Sequence, residues 1–195
     1  HLLSSMESGA DRICKLVRSL RNFSRHDEAE IKSVDIHAGL DSALVMLKHR
    51  LQAYQIQVIK CYGDLPLITC YPSQLNQVFM HVLNNAIDAV IDCTEAHIIE
   101  IDTIFVYCSS LASKTIDPQA IIRIRDNGCG LSPDIQEKIF NPFFTTKPVG
   151  TAMGLGLAIA HQIVVEQHSG QLTCFSLTDR GAEFFIQLPV HQNTA

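Results

Sequence analysis

Four short stretches of this 195-residue chain hold residues whose types and spacing could do chemistry. Between residues 74 and 90, Leu75, Val78, Phe79, Val82, Leu83, Ala86 and Ala89 recur at helical spacing, which predicts a helix with one buried stripe. Gln77, His81, Asn84, Asn85 and Asp88 fall on its other side, with His81 and Asn85 one above the other at a spacing of four. Polar groups this close to a buried stripe either find partners or form a plain solvated helix face. The second stretch, Asp126-Asn127-Gly128-Cys129-Gly130, follows an apolar strand-like run. A carboxylate ahead of two glycines at a strand end can approach a flat ligand, since Gly128 and Gly130 carry no side chain to block it; the same residues also suit a tight turn. The third, Phe140-Asn141-Pro142-Phe143-Phe144-Thr145-Thr146-Lys147, places three phenylalanines in a non-periodic segment. They could anchor a mobile lid, leaving Lys147 free to reach an anion. The fourth, Gly154-Leu155-Gly156-Leu157, opens a helix whose unbonded N–H groups and dipole suit phosphate oxygens. A lone Gly-x-Gly is common, and the GxxxxGK[ST] loop of other phosphate binders is absent.

These stretches need a scaffold. Residues 1–27 read as one amphipathic helix with Met6, Ala10, Ile13, Val17 and Leu20 as a heptad seam, followed by a charged linker over 28–33. Beyond it, strands are expected at 34–37, 55–61, 66–70, 98–108, 120–125, 171–175 and 182–188, with the second and third forming a hairpin around Gly63-Asp64 and the last two a hairpin around Asp179-Arg180-Gly181. Helices are expected at 38–51, 72–90, 133–139 and 154–168, the last ended by Gly170. Residues 140–153 show no period. Strands and helices intermingle without strict alternation, which predicts an α+β fold: a two-layer sandwich of one mixed β-sheet and covering helices, preceded by the N-terminal bundle helix. The expected organisation is 1–27 bundle helix, 28–33 linker, 34–190 main domain and 191–195 tail.

Composition bounds the function. Apolar residues make up 47% and charged residues 18%, so the chain can bury a core and is not intrinsically disordered. A net charge of −5 argues against a dedicated nucleic-acid binder. No run of 18 apolar residues and no signal peptide is visible, so no membrane contact is expected from this segment. The seven cysteines lack zinc spacing and read as reduced thiols of a cytoplasmic protein.

Taken together and in order, the four stretches resemble the boxes of sensor histidine kinases, within the ATP-binding superfamily shared with gyrase and a heat-shock chaperone. LNQVFMHVLNNAIDAV is similar to the N box, IRDNGCGLS to the first glycine box, IFNPFFTTK to the F box, and GLGLAIAHQIVVEQHSGQL to the second glycine box. ICKLVRSLRNFSR resembles the second helix of the dimerisation bundle. The resemblance implies a catalytic domain that binds ATP and Mg²⁺ and moves the γ-phosphate to a histidine, for relay to an aspartate on a response-regulator receiver domain. It implies that Asn85 coordinates Mg²⁺, that Asp126 accepts from the adenine amino group in a pocket shaped by Gly128 and Gly130, and that Lys147 reaches the terminal phosphates. It further implies that Gly154, Leu155 and Gly156 present backbone N–H groups to the phosphates, and that the full-length protein is a homodimer, with a membrane anchor upstream left open.

Three departures from the pattern stand out. His81 replaces the usual first Asn of the N box; it could act on a phosphate, a water or the metal's hydration shell, and is kept as a catalytic candidate with Asn85 and Lys147. Ala152 stands where a Gly is usual, at a cost of ~1 kcal/mol if that position needs a left-handed backbone. No histidine here sits in the expected phosphoacceptor box, which places the acceptor upstream of His1. A degenerate nucleotide-binding scaffold and an ATP-hydrolysing relative are the alternative readings.

Overall fold

A computed structural model of the chain describes residues 30–91, 93, 97–109, 116–148, 151–176, 178 and 180–191. The bundle helix expected over residues 1–27 lies outside the described residues. The elements run β1 (Lys32–Val34), α1 (Ile36–Ala53), β2 (Gln57–Tyr62), β3 (Ile68–Cys70), α2 (Pro72–Ile91), β4 (Ile98–Ser109), β5 (Ile116–Asp126), α3 (Pro133–Gln136), α4 (Gly156–Gln162), β6 (Gln171–Ser176) and β7 (Ala182–Pro189). A π-helical turn, Ile163–Gln167, continues α4.

Five strands form one mixed sheet in the order β2-β4-β5-β7-β6, parallel between β2 and β4 and antiparallel elsewhere. Alternation sets its two faces. Ile122, Ile124, Phe184, Ile186 and Leu188 turn inward, while Arg123, Arg125 and Glu183 form an ion-pair lattice on the other face with Glu100 and Asp102. The inner face is covered by α1, α2 and α4, giving the expected two-layer α+β sandwich. Helix α2 buries Leu75, Val78, Phe79, Val82, Leu83, Ala86, Ile87 and Val90, a stripe at i, i+3, i+4 spacing. Ile87 and Val90 join the expected stripe, whereas Ala89 sits at its margin against Gly128.

Several local expectations change. The first strand is Lys32–Val34, beginning within the expected linker and ending where the strand is expected to start, because Asp35 ends it as the cap of α1 by accepting from the His37 N–H at 2.9 Å. The expected β2–β3 hairpin does not form. Gly63 lies against β4, its N–H donating to the Thr103 carbonyl at 3.1 Å, so β2 stays in the main sheet beside β4. β3 leaves to pair antiparallel with β1 instead. A two-stranded hairpin alone is marginal, whereas β2 on a long central strand gains a full ladder. At the end of the π turn the left-handed residue is Ser169 (φ 50°) rather than Gly170; Gly170 is needed because a side chain there would meet the Gln187 carbonyl of β7. Cys70 and Cys174 are buried, which raises their thiols to about 11 and about 12, while Cys61 and Cys129 are exposed. Cys61, Cys70, Cys129 and Cys174 are free thiols.

Candidate functional site

The four stretches meet at one edge of the sandwich. Asp126 is the last residue of β5 and is only 2% exposed. Its Oδ1 accepts from the Gly128 N–H at 2.9 Å and from the Ala182 N–H at 3.2 Å. Its Oδ2 accepts no hydrogen bond from a described residue. Burial raises this carboxyl from 3.8 to about 6, against the two backbone donors and Arg125, which lower it. A carboxylate with one oxygen fixed by main chain and the other open can orient a single ligand donor.

The glycines around it also serve the backbone. A Cβ on Gly128 would stand 2.7 Å from the Ala89 backbone, so Gly128 lets the loop press on α2. Gly130 takes the left-handed turn at φ 68°. Gly181, seen in sequence only as a hairpin glycine, has φ 76°, and a side chain there would collide with the Asp126 carbonyl. It brings the start of β7 onto the carboxylate and sets up the Ala182 bond. A glycine at a strand entry, which often marks a close backbone approach, was the available signal.

Asn85 lies on the half-buried polar face of α2, and its amide has no partner among the described residues. Three residues on, Asp88 accepts from two cations: the Arg50 guanidinium of α1 at 2.5 Å and the Lys147 ammonium. Arg50 also donates to Asn84 Oδ1 at 2.5 Å. Burial works against ionising Asp88, but the bonds from Lys147 and Arg50 outweigh it and hold the carboxyl below the usual range. Lys147, expected to be free, is therefore engaged. Arg50 was not singled out from the sequence; it is 38 residues from its partner, and no local pattern announces such a pair.

The segment around Lys147 is held at both ends. Phe140 and Phe144 pack on the core, as anchors should, while Phe143 is 57% exposed with a strained φ of 67°. Gly154 has φ 66° and passes so close to the Phe144 carbonyl that no Cβ would fit. Ala152 is not among the left-handed residues, so the cost foreseen there does not arise. Helix α4 opens at Gly156 with Leu155 as its cap residue and no side-chain cap, leaving its first N–H groups open. A Cβ on Gly156 would lie 3.0 Å from His81 Nδ1, so the imidazole packs on that opening. Burial lowers the His81 pKa and keeps the ring neutral; Gln77 lies 3.5 Å from its Nε2. His168 also joins the two helices. Its Nδ1 lies 2.8 Å from the Ile163 carbonyl and must donate, so its Nε2 accepts from the Tyr71 N–H just ahead of α2.

A cavity of about 220 Å³ between the starts of α1 and α2 and a groove of about 440 Å³ between α3 and β6 are lined by neither Asn85 nor Asp126.

Comparison with known proteins agrees with this geometry. The family described as "Histidine kinase-, DNA gyrase B-, and HSP90-like ATPase" matches residues 70–192. The signal transduction histidine-protein kinase AtoS of Escherichia coli (strain K12) is 33% identical over 190 residues, which is 97% of this chain and 29% of that protein. The sensor histidine kinase ZraS of Escherichia coli O157:H7 is 32% identical over 191 residues, 97% of this chain and 38% of that protein. This chain thus spans about a third of the length of these relatives. Among solved structures, the catalytic domain of histidine kinase ThkA superposes with a TM-score of 0.68 at 23% identity, covering 83% of this chain and 96% of that one. Full-length ShkA in complex with AMPPNP gives 0.75 at 21% identity over 98% of this chain and 39% of that one. ThkA in complex with the response regulator TrrA gives 0.73 at 19% identity over 96% and 50%. These last likenesses speak to the fold alone; with the matched family and the relatives, they lead to one conclusion: the chain belongs to the histidine kinase-, DNA gyrase B- and HSP90-like ATPase family, as an ATP-binding domain of the sensor histidine kinase kind.

Proposed function

We propose that this chain is the catalytic part of a sensor histidine kinase, preceded over residues 1–27 by the second helix of a dimerisation bundle. The whole protein would act as a cytoplasmic homodimer whose acceptor histidine nitrogen attacks the γ-phosphorus of ATP. The bond from that phosphorus to the bridging oxygen breaks, and ADP leaves. The phosphoryl group then passes to a receiver-domain aspartate; ThkA solved with the response regulator TrrA supports that partner class.

The observation that carries the reading is Asp126, a buried carboxylate with one oxygen spent on backbone and one left for a ligand. That oxygen accepts the adenine amino group and rejects guanine, whose corresponding carbonyl is an acceptor. Asn85 offers an unpartnered amide oxygen at the other end, and the described residues contain no cluster of three or more His, Cys, Asp or Glu able to hold a metal. A single hard protein donor fits Mg²⁺, which takes most of its ligands from phosphates and water. Bound there, the ion would neutralise triphosphate charge. Gly154, Leu155 and Gly156 give backbone N–H groups to the phosphates, Lys147 a point charge, and His81 a neutral imidazole beside them. Phosphoryl transfer needs mainly such positioning and charge stabilisation.

The test is transfer from radiolabelled ATP to a supplied acceptor bundle. Label on the bundle histidine is expected, with little phosphate release in its absence, because no carboxylate stands at position 81 to activate water. Steady ATP hydrolysis without transfer would favour the hydrolysing alternative. Binding without either would favour the scaffold.

A further inference from the structure

Arg50 and Lys147 converge on one carboxylate, and the arrangement is that of an anion site already filled from within. Arg50 comes from the end of α1, Lys147 from the loop ahead of α4, and Asp88 from α2 between them. The three side chains are about one-third exposed, so solvent and other anions can reach them. Asp88 lies three residues, less than one turn, beyond Asn85 on the same polar face, and the loop bearing Lys147 is tied to Gly154 through Phe144.

We propose that Asp88 is an intramolecular competitor for the nucleotide phosphates: it holds Lys147 until a triphosphate displaces it, and so sets ATP affinity and the position of the loop. This rests on the nucleotide reading above. Charge arithmetic favours such an exchange. The trio carries +2 from its cations and −1 from Asp88, so the site remains attractive to anions. A terminal phosphate offers more charge and more acceptor oxygens than a carboxylate, and wins Lys147. Arg50 does not need to move. It keeps Asp88 neutralised after Lys147 leaves, which prevents the freed carboxylate from repelling the incoming phosphates. Asp88 thereby lowers affinity for phosphate-bearing ligands without touching recognition of the base.

The experiment is a double-mutant cycle on the full chain, with ATP and adenosine as ligands. Asp88→Asn keeps the size and an acceptor for Arg50 but removes the charge. It should bind ATP about three- to tenfold tighter and leave adenosine binding unchanged, which also reports that the fold is intact. Lys147→Gln should weaken ATP binding, and in that background Asp88→Asn should have little effect. Asp88→Glu should behave like the parent. Without nucleotide, Asp88→Asn should quicken hydrogen exchange at 143–147. If the two ATP effects simply add, Asp88 acts only through its field, and the proposal is overturned; unchanged loop exchange in Asp88→Asn would overturn it as well. If the parent bound no ATP while Asp88→Asn still quickened loop exchange, the internal contact would stand and the nucleotide reading would fall instead.

Discussion

Asp126, at the end of β5, and Asp88, on α2, are both carboxylates of the candidate site, and their surroundings are opposite. Asp126 is 2% exposed and takes its hydrogen bonds from main-chain N–H groups of β7 and its own loop. Asp88 has a side chain 29% exposed and takes its bonds from two long, flexible cations. Burial dominates the first and raises its pKa to about 6; in the second, lysine and arginine override burial and lower it. Backbone donors cannot swing away, so the Asp126 end is preorganised for one ligand group. Side-chain cations can change partner, so the Asp88 end suits a ligand that comes and goes.

Replacing the rigid carboxylate strikes this contrast hardest. Asp126→Asn retains an oxygen for both backbone donors but turns the open acceptor into a donor. ATP affinity should fall more than tenfold, ~1.4 kcal/mol or more, in a calorimetric titration. The apo fold should not weaken, since the variant no longer buries a charge. If ATP binds equally well, the base does not sit at Asp126.

The pH dependence sharpens the same point. Because the folded-state pKa of Asp126 is raised, its stabilising contribution is fully present below about 3.8 and is lost as pH rises through about 6. Relative to Asp126→Asn, the parent should therefore lose on the order of 2–3 kcal/mol of unfolding free energy between pH 4 and pH 7, read from paired denaturant melts. ATP affinity should move the other way and grow as Asp126 ionises. His168 has the opposite sign: burial lowers its pKa, so its contribution is present above about 6.5 and is lost as pH falls. The paired variant cancels that background.

Gly154→Ala tests how far the flexible end depends on its one tight contact. Its φ of 66° and the 2.4 Å approach of a Cβ to the Phe144 carbonyl would force the loop outward. About fivefold weaker ATP binding is expected, ~1 kcal/mol, with adenosine little affected. The smallest effect belongs to Asn85→Ala, which should remove the Mg²⁺-dependent part of ATP affinity, about two- to fivefold, and leave the metal-free part. Equal enhancement by Mg²⁺ in both proteins would clear Asn85 of that role.

Much of this was legible in the residues. The α2 stripe, the alternation of β5 and β7, the antiparallel β6–β7 pair and the order of the four boxes are local patterns, and local periodicity reports which face of an element is buried. So was the importance of Asp126, since a carboxylate and two glycines at a strand end are unusual together. What the chain could not announce locally were the contacts between distant segments. β2 chose β4 over a nearby hairpin partner because a long central strand offered a complete ladder. Gly128 and Gly181 proved to be glycines for the sake of Ala89 and the Asp126 carbonyl, 39 and 55 residues away. Lys147 looked free because Asp88 lies 59 residues before it. The amino-acid sequence by itself determined which residues carry charge, which faces are apolar and where the backbone can turn left-handed. Only tertiary packing decided which charges meet and how deeply each is buried, because pairing and desolvation depend on distances between segments that no local pattern encodes.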